Sequence, residues 1–278
     1  MAELLKATGL VKDYKVPKLE GWFGSATTRA LDGVDLSLDE GESLAVVGES
    51  GSGKSTLGRA LLWLDPPDEG SVVFGGKALA SLGASDLRRQ RRDLQMIFQD
   101  PYASLDPRQK VGDIVTENLQ VHADLKGSAL GSEAARLLRS VGLEPDMAER
   151  FVHEFSGGQR QRIAIARAIA TKPRLLIADE PVSALDLELQ GQILDLLKKL
   201  RAGMGLSLIF ITHDLKLVKG FCRRVLVMKD AKVVERGLVE EVFSRPAHAY
   251  TRELLDAVLP LPLPRAALRV PETVEGQP

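Results

Sequence analysis

The chain reads as an α/β protein whose largely parallel sheet is sheltered by helices. Strand-length apolar runs rich in Ile, Leu, Val and Phe recur at residues 42–48, 94–98, 174–178, 206–211 and 224–228. Most are separated by stretches of helical periodicity, the alternation that builds a parallel sheet with both faces covered. The first run leads through a glycine-rich turn into residues 54–64, where Leu57, Leu61, Leu62 and Leu64 fall at helical spacing.

The other segments follow in chain order. Residues 3–12 and 30–38 alternate polar and apolar side chains, as half-buried antiparallel strands do. Between them, residues 16–29 carry Pro17, Gly21 and Gly24 and are expected to form an exposed loop. From about 108 to 172, periodic segments at 111–121, 132–141 and 156–170 have no strand pattern between them, which predicts a helical insertion in the α/β core. The folded unit is expected over residues 1–257. Residues 258–278 form a proline-rich tail, with five of the 14 prolines in 260–278, and read as extended or disordered.

Composition narrows the function. The 278 residues are 44% apolar and 27% charged, in the proportions of a soluble globular protein. A chain of this length buries about three quarters of its unfolded surface and needs no covalent staples. Its 37 basic and 38 acidic residues give a net charge of −1, which argues against coating nucleic acid by bulk electrostatics. Arg88, Arg89, Arg91 and Arg92 form a basic cluster, but Asp86 and Asp93 flank it and a solvated helix face explains it. Lys198-Lys199 and Arg223-Arg224 read the same way. Only 5% of residues are aromatic, too few for a base-stacking platform. Cys222 is the sole cysteine, so an internal disulfide framework is excluded, as is a site needing several thiolates. The start has an early acid, Glu3, and no long apolar core, unlike a signal peptide. No apolar run approaches membrane-spanning length. A soluble, cytoplasmic protein is expected.

The glycine-rich turn carries the chemistry. Gly48-Glu49-Ser50-Gly51-Ser52-Gly53-Lys54-Ser55 fits the phosphate-loop pattern between a strand and a helix. Glycines let the backbone wrap closely, so that consecutive N–H groups point at phosphate oxygens, and the helix adds the positive end of its dipole. Lys54 is placed to reach the β- and γ-phosphates, and the Ser55 hydroxyl to ligate Mg²⁺. A nucleoside triphosphate is the expected ligand. The run Arg174-Leu175-Leu176-Ile177-Ala178-Asp179-Glu180-Pro181 reads as a strand ending in two acids. Asp179, at the carboxyl end of that strand, is then placed to hold Mg²⁺ through water. Glu180 is expected to point elsewhere, because successive strand residues alternate faces, which leaves it free to orient and deprotonate a water facing the γ-phosphate.

Ser156-Gly157-Gly158-Gln159-Arg160-Gln161-Arg162, ahead of a helix, resembles the signature of the ATP-binding cassette family. Other motifs match that family in order. Gln99, after Met96-Ile97-Phe98, matches its glutamine loop, Asp186 in Ser183-Ala184-Leu185-Asp186 its aspartate loop, and His213 after Ile211-Thr212 its switch histidine. Tyr14 falls where the family places the ring that stacks on adenine. The resemblance covers about residues 3–257. It implies a P-loop NTPase of ABC type, with a RecA-like core, an N-terminal antiparallel β subdomain and an inserted α-helical subdomain. It implies ATP held by Tyr14, by Gly48 through Thr56, and by Ser156, Gly157, Gly158, Gln159 and Asp186 across a head-to-tail pair of cassettes. Mg²⁺ is expected on Ser55, Gln99 and Asp179, and catalysis on Glu180, His213, Gln99 and Lys54.

Two further segments, Phe98-Gln99-Asp100-Pro101-Tyr102-Ala103-Ser104-Leu105-Asp106-Pro107-Arg108 and Phe243-Ser244-Arg245-Pro246-Ala247-His248-Ala249-Tyr250-Thr251, resemble the dipeptide and oligopeptide import ATPases of the second-ATPase type. That likeness implies membrane permease subunits as partners, a second ABC ATPase in a heterodimer or homodimer, a substrate-binding protein, and residence on the inner face of the cell membrane. The same subfamily serves nickel, glutathione and opine uptake, and a related cassette serves a phosphonate-metabolising enzyme assembly. Phe155 replaces the usual leucine before the signature serine, and Ala249 the usual proline of the tail motif. Some relatives carry an iron–sulfur centre. Cys222 alone cannot supply four ligands, so none is expected here. His248 and Tyr250 read as packing residues.

Overall fold

The computed structural model describes residues 2–17, 25–123 and 127–258. In chain order the first elements are β1 (Glu3–Pro17), β2 (Ser25–Asp39), β3 (Ser43–Val47), α1 (Lys54–Leu61), β4 (Glu69–Phe74), β5 (Lys77–Ala78), α2 (Ala84–Gln90) and β6 (Leu94–Ile97). A helical stretch follows, with α3 (Pro101–Ser104), α4 (Val111–His122), α5 (Ser128–Ser140) and α6 (Gly157–Ile169). The chain then runs through β7 (Leu175–Asp179), α7 (Leu187–Met204), β8 (Ser207–Thr212), β9 (Arg224–Lys229), β10 (Lys232–Leu238), α8 (Val239–Ser244) and α9 (Ala249–Val258).

The strands form two sheets. A four-stranded antiparallel sheet has the order β2-β1-β4-β5, and a six-stranded sheet the order β10-β9-β3-β8-β7-β6. In the larger sheet β9, β3, β8, β7 and β6 are parallel, and only β10 at the edge is antiparallel. The parallel strands are the five apolar runs of the sequence. The antiparallel β10 lacks their continuous apolar character and is half exposed.

Strand alternation divides the interior into two cores. Leu44, Val46, Leu175, Ile177, Ile209, Ile211, Leu226 and Met228 face the antiparallel sheet, where they pack with Leu5, Leu10, Leu31, Leu38, Phe74 and the α1 side chains Leu57 and Leu61. Their strand neighbours Ala45, Val47, Leu176, Ala178, Leu208, Phe210, Val225 and Val227 face the other way, into a core shared with the helices. Each fully buried aliphatic side chain in these layers stabilises the fold by about 1.5–3 kcal/mol relative to exposure. The helical stretch joins the second core through Val111, Ile114, Val115 and Leu119 of α4, Leu137 and Leu138 of α5, and Ile163 and Ala166 of α6. The observed architecture is the expected one of a parallel core, an N-terminal antiparallel sheet and a helical insertion.

Two boundaries differ from expectation. Residues 16–17 and 25–29, expected in an exposed loop, extend β1 and β2 in register, with Thr28 opposite Tyr14 and Arg29 opposite Asp13. The Arg29 guanidinium meets the Asp13 carboxylate at 2.9 and 3.1 Å, a cross-strand ion pair between the extended ends. Residues 18–24 lie outside the described residues. The helix expected over 54–64 ends at Leu61, and Trp63 turns the chain at φ +56°. The proline-rich tail from residue 259 onward also lies outside the described residues.

Candidate functional site

Three loops meet at the carboxyl ends of adjacent parallel strands, the usual location for a ligand in an open α/β sheet. The phosphate loop leaves β3, the two acids end β7, and His213 follows β8, which lies between them. Gly48 and Gly53 are indispensable to the loop. Gly48 has φ +149° and a Cβ there would stand 2.1 Å from the Met228 carbonyl oxygen. Gly53 has φ +102° and a Cβ would stand 2.3 Å from the Ala30 carbonyl oxygen. Gly53 caps α1 without a side chain, which leaves first-turn N–H groups for an anion. The Ser52 hydroxyl is buried in the loop with no protein partner, as a cradle completed by an oxyanion would have it.

Lys54 is buried, and its ammonium donates to the carbonyls of Gly48 at 2.8 Å and Glu49 at 2.7 Å. Burial holds its pKa below the ordinary lysine value, opposed by the charges of Glu180, Asp179 and Glu49. The Ser55 hydroxyl donates to Asp179 Oδ1 at 3.0 Å. Burial raises the Asp179 carboxyl above the usual range, against the bond from Ser55. A hydroxyl beside a buried carboxylate is an oxygen donor set suited to a hard divalent cation, so these residues fit Mg²⁺. Gln99 lines the same groove as Asp179.

Glu180 departs from the simple alternation argument. It lies just past β7 with φ +46°, a left-handed conformation uncommon outside glycine, and its N–H donates to the Ile211 carbonyl at 2.9 Å. The backbone turn, not the strand pleat, separates its carboxylate from that of Asp179. Gln99 Nε2 donates to Glu180 Oε2 at 3.1 Å, and His213 Nδ1 stands 3.0 Å from Glu180 Oε1. The structure thus brings Gln99, Glu180 and His213 together beside Lys54, Ser55 and Asp179. A groove of about 610 Å³ continues from Asp179 and Gln99 to Asn118 and His122 of α4.

Comparison with known proteins agrees with this geometry. Residues 31–183 match the family described as ABC transporter. The chain belongs to the ABC transporter family. This chain is 49% identical over 257 residues to the glutathione import ATP-binding protein GsiA of Salmonella paratyphi A, an alignment covering 92% of this chain and 41% of that protein. It therefore spans about two fifths of the length of these glutathione-import relatives. A putative peptide import ATP-binding protein of Brucella ovis is 45% identical over 269 residues, covering 95% of this chain and 80% of the relative. Among solved structures, the ATP-binding cassette MJ0796, as a dimer in a post-hydrolysis state bound to ADP and Pi, superposes with a TM-score of 0.75 at 32% identity, covering 85% of this chain and 99% of that one.

The remaining predicted residues lie away from this centre of the cassette. Ser156 caps α6 in a reciprocal box, receiving the Gln159 N–H at 3.4 Å and donating its own to Gln159 Oε1 at 3.0 Å. Gly157 and Gly158 pack on Leu185 and Leu189, so the signature turn is braced against the segment holding Asp186. Asp186 caps α7 by accepting the Leu189 N–H at 2.9 Å. Tyr14 donates its phenol to Asp65 and also faces the Thr56 hydroxyl, which sets its ring at the rim of α1. Asp65 additionally receives Lys12 at 2.7 Å, a support that no sequence motif announces. Cys222 lies in the core, where burial pushes its thiol up to about 12. Arg88, Arg89 and Arg92 are exposed, whereas Arg91 turns inward to the Trp63 carbonyl at 3.0 Å.

One residue read as simple packing has a place at the site. The hydroxyl of Tyr250, on α9, accepts the Glu49 N–H at 2.9 Å. Its sequence spacing marks only a helix face. The contact spans some 200 positions and leaves no local signal.

Proposed function

We propose that this chain hydrolyses ATP as the nucleotide-binding subunit of a membrane importer for dipeptides and oligopeptides. The observation that carries the chemistry is the Glu180 carboxylate, held between Gln99 and His213 beside Lys54, Ser55 and Asp179. The phosphate loop binds the triphosphate through its N–H groups, with Tyr14 against the adenine. Lys54 exchanges the carbonyls of its own loop for β- and γ-phosphate oxygens and neutralises charge that develops there. Ser55, Asp179 and Gln99 would hold Mg²⁺, which when bound supplies positive charge to the phosphate oxygens. Glu180 orients a water for in-line attack and takes its proton, with its carboxylate fixed by Gln99 and His213. Ser156, Gly157, Gly158, Gln159 and Asp186 of a second cassette complete the site from across a head-to-tail interface.

The transported solute is inferred from the relatives. One group of relatives is named for peptide import and the other for import of glutathione, itself a peptide, and glutathione is the second reading because the 49% identity belongs to that group. Among the described residues no helix is long and apolar enough to cross a membrane. The reading accordingly assigns the spanning function to permease subunits, with the cassette on the inner face and a substrate-binding protein delivering solute outside.

The decisive experiment is Glu180→Gln. It keeps the size and the backbone turn and removes the proton acceptor. ATP binding, followed by calorimetry, stays within about twofold of wild type, while steady-state phosphate release falls at least about 100-fold. Unchanged turnover removes Glu180 as the base. Affinity purification then reads out the partners: membrane permeases support transport, and soluble enzyme subunits alone overturn it.

A further inference from the structure

The phosphate loop has a support from the far end of the chain, and the path can be followed residue by residue. Glu49, second in the loop, is held at both faces of its backbone: its N–H donates to Tyr250 at 2.9 Å and its carbonyl receives Lys54 Nζ at 2.7 Å. The phenol that fixes this residue therefore lies one residue's backbone away from the lysine that meets the phosphates. Tyr250 is itself 3% exposed, and Lys229 Nζ sits 4.5 Å from its ring centroid. Lys229 ends β9 next to Met228, whose carbonyl oxygen closes on Gly48. The end of α9 that bears Tyr250 is anchored in turn. Glu235 of β10 accepts the N–H groups of Ala247 at 2.8 Å and His248 at 3.0 Å, and His248 Nδ1 accepts that of Tyr250 at 3.2 Å. A chain of hydrogen bonds thus runs from the edge strand through the start of α9 to the phosphate loop.

A packing tyrosine needs only its ring. Here the hydroxyl has a specific partner, and that partner is the main chain of the loop that must keep one shape to present its amides together. We infer that Tyr250 is a positioning residue for the nucleotide, holding the phosphate loop through the Glu49 N–H and making ATP affinity depend on the docking of α9. The inference rests on the reading of the loop as an ATP site. It gives the C-terminal helix a part in nucleotide binding although it lies some 200 positions from the loop.

The test uses the full chain with Tyr250→Phe, which removes the hydroxyl alone, and Arg252→Ala as a control. Arg252 lies on the same helix and is exposed, and its guanidinium bonds back to the Pro246 carbonyl at 3.3 Å. Calorimetric titration with MgATP is read beside steady-state hydrolysis and thermal unfolding of the nucleotide-free protein. Tyr250→Phe weakens ATP binding and raises KM about three- to tenfold, the scale of one hydrogen bond, with kcat within about twofold. Arg252→Ala binds ATP as wild type does. A Tyr250→Phe variant with wild-type affinity overturns the inference, even if its unfolding midpoint drops, because that result describes packing alone. Equal weakening in both variants also overturns it, since the helix and not the hydroxyl would then matter. Failure of the wild-type chain to bind MgATP instead refutes the ATP reading itself, and so the two failures are told apart.

Discussion

At Asp179 the demands of folding and of chemistry oppose each other. Its residue is 2% exposed and its carboxylate receives the Ser55 hydroxyl, while the Lys54 ammonium is turned into its own loop. A carboxyl whose pKa is raised in the folded state binds protons more readily there than when unfolded. Its charged form therefore lowers stability at pH values above the raised pKa, and the penalty disappears as pH falls below the ordinary carboxylate pKa. Asp179→Asn removes the charge but keeps an oxygen for the Ser55 hydroxyl. The expected outcome is an unfolding midpoint equal to or above wild type, with Mg²⁺-dependent hydrolysis reduced about 100-fold or more. Differential scanning calorimetry beside a phosphate-release assay measures both, and a variant that unfolds earlier than wild type contradicts the burial argument. Glu180 shows the same opposition in its backbone, since a left-handed glutamate costs of the order of 1–2 kcal/mol and is retained where its carboxylate meets Gln99 and His213.

At the scale of the element, function and helix capping share residues. Asp186 is read as part of the nucleotide interface, yet in its own chain it is the N-cap of the 18-residue α7. Asp186→Ala removes the acceptor and is expected to cost about 1 kcal/mol, which lowers the unfolding midpoint by about 2–4 °C in a chain of this size. Asp186→Asn keeps an acceptor at the cap and restores the midpoint. Hydrolysis still missing from the asparagine variant then reports the charge, separated from the helix. The same sharing explains what could be read in the linear sequence. The phosphate loop, the Asp179-Glu180 pair, the signature turn and the five parallel strands are local, with spacing and chemistry confined to a few consecutive residues. Edge strand β10 has no comparable apolar run, because only one neighbour and part of one face shelter it. The ends of β1 and β2 were hidden by glycine and proline in the intervening segment, although Arg29 and Asp13 pair across them. The bonds from Tyr250 to Glu49 and from Tyr14 to Asp65 join residues 201 and 51 positions apart. Such contacts are set by tertiary packing and have no periodicity to detect.

For the molecule as a whole, the proposed division of the site between two cassettes has a direct consequence. Lys54, Glu180, Gln99 and His213 converge within one chain, whereas Ser156 is exposed at the start of α6, braced against Leu185 and Leu189. Leu187, at the start of α7, is 84% exposed. If two copies pair head to tail, each complete site takes its phosphate loop from one and its signature turn from the other. Lys54→Ala then destroys only the first half, and Ser156→Arg only the second, by placing a bulky cation at a close approach. Ser156→Arg alone should still bind MgATP within about twofold of wild type, because its own phosphate loop is intact. Each variant alone should be nearly silent in hydrolysis. An equimolar mixture that reassorts freely contains half mixed dimers, each with one intact composite site, so activity should recover to about a quarter of wild type. Phosphate release measured across mixing ratios should peak near equal amounts. A mixture as silent as its components excludes a site shared between copies of this chain and points to a different cassette as the partner, whose addition should restore hydrolysis to Lys54→Ala only through the partner's own phosphate loop and this chain's Ser156.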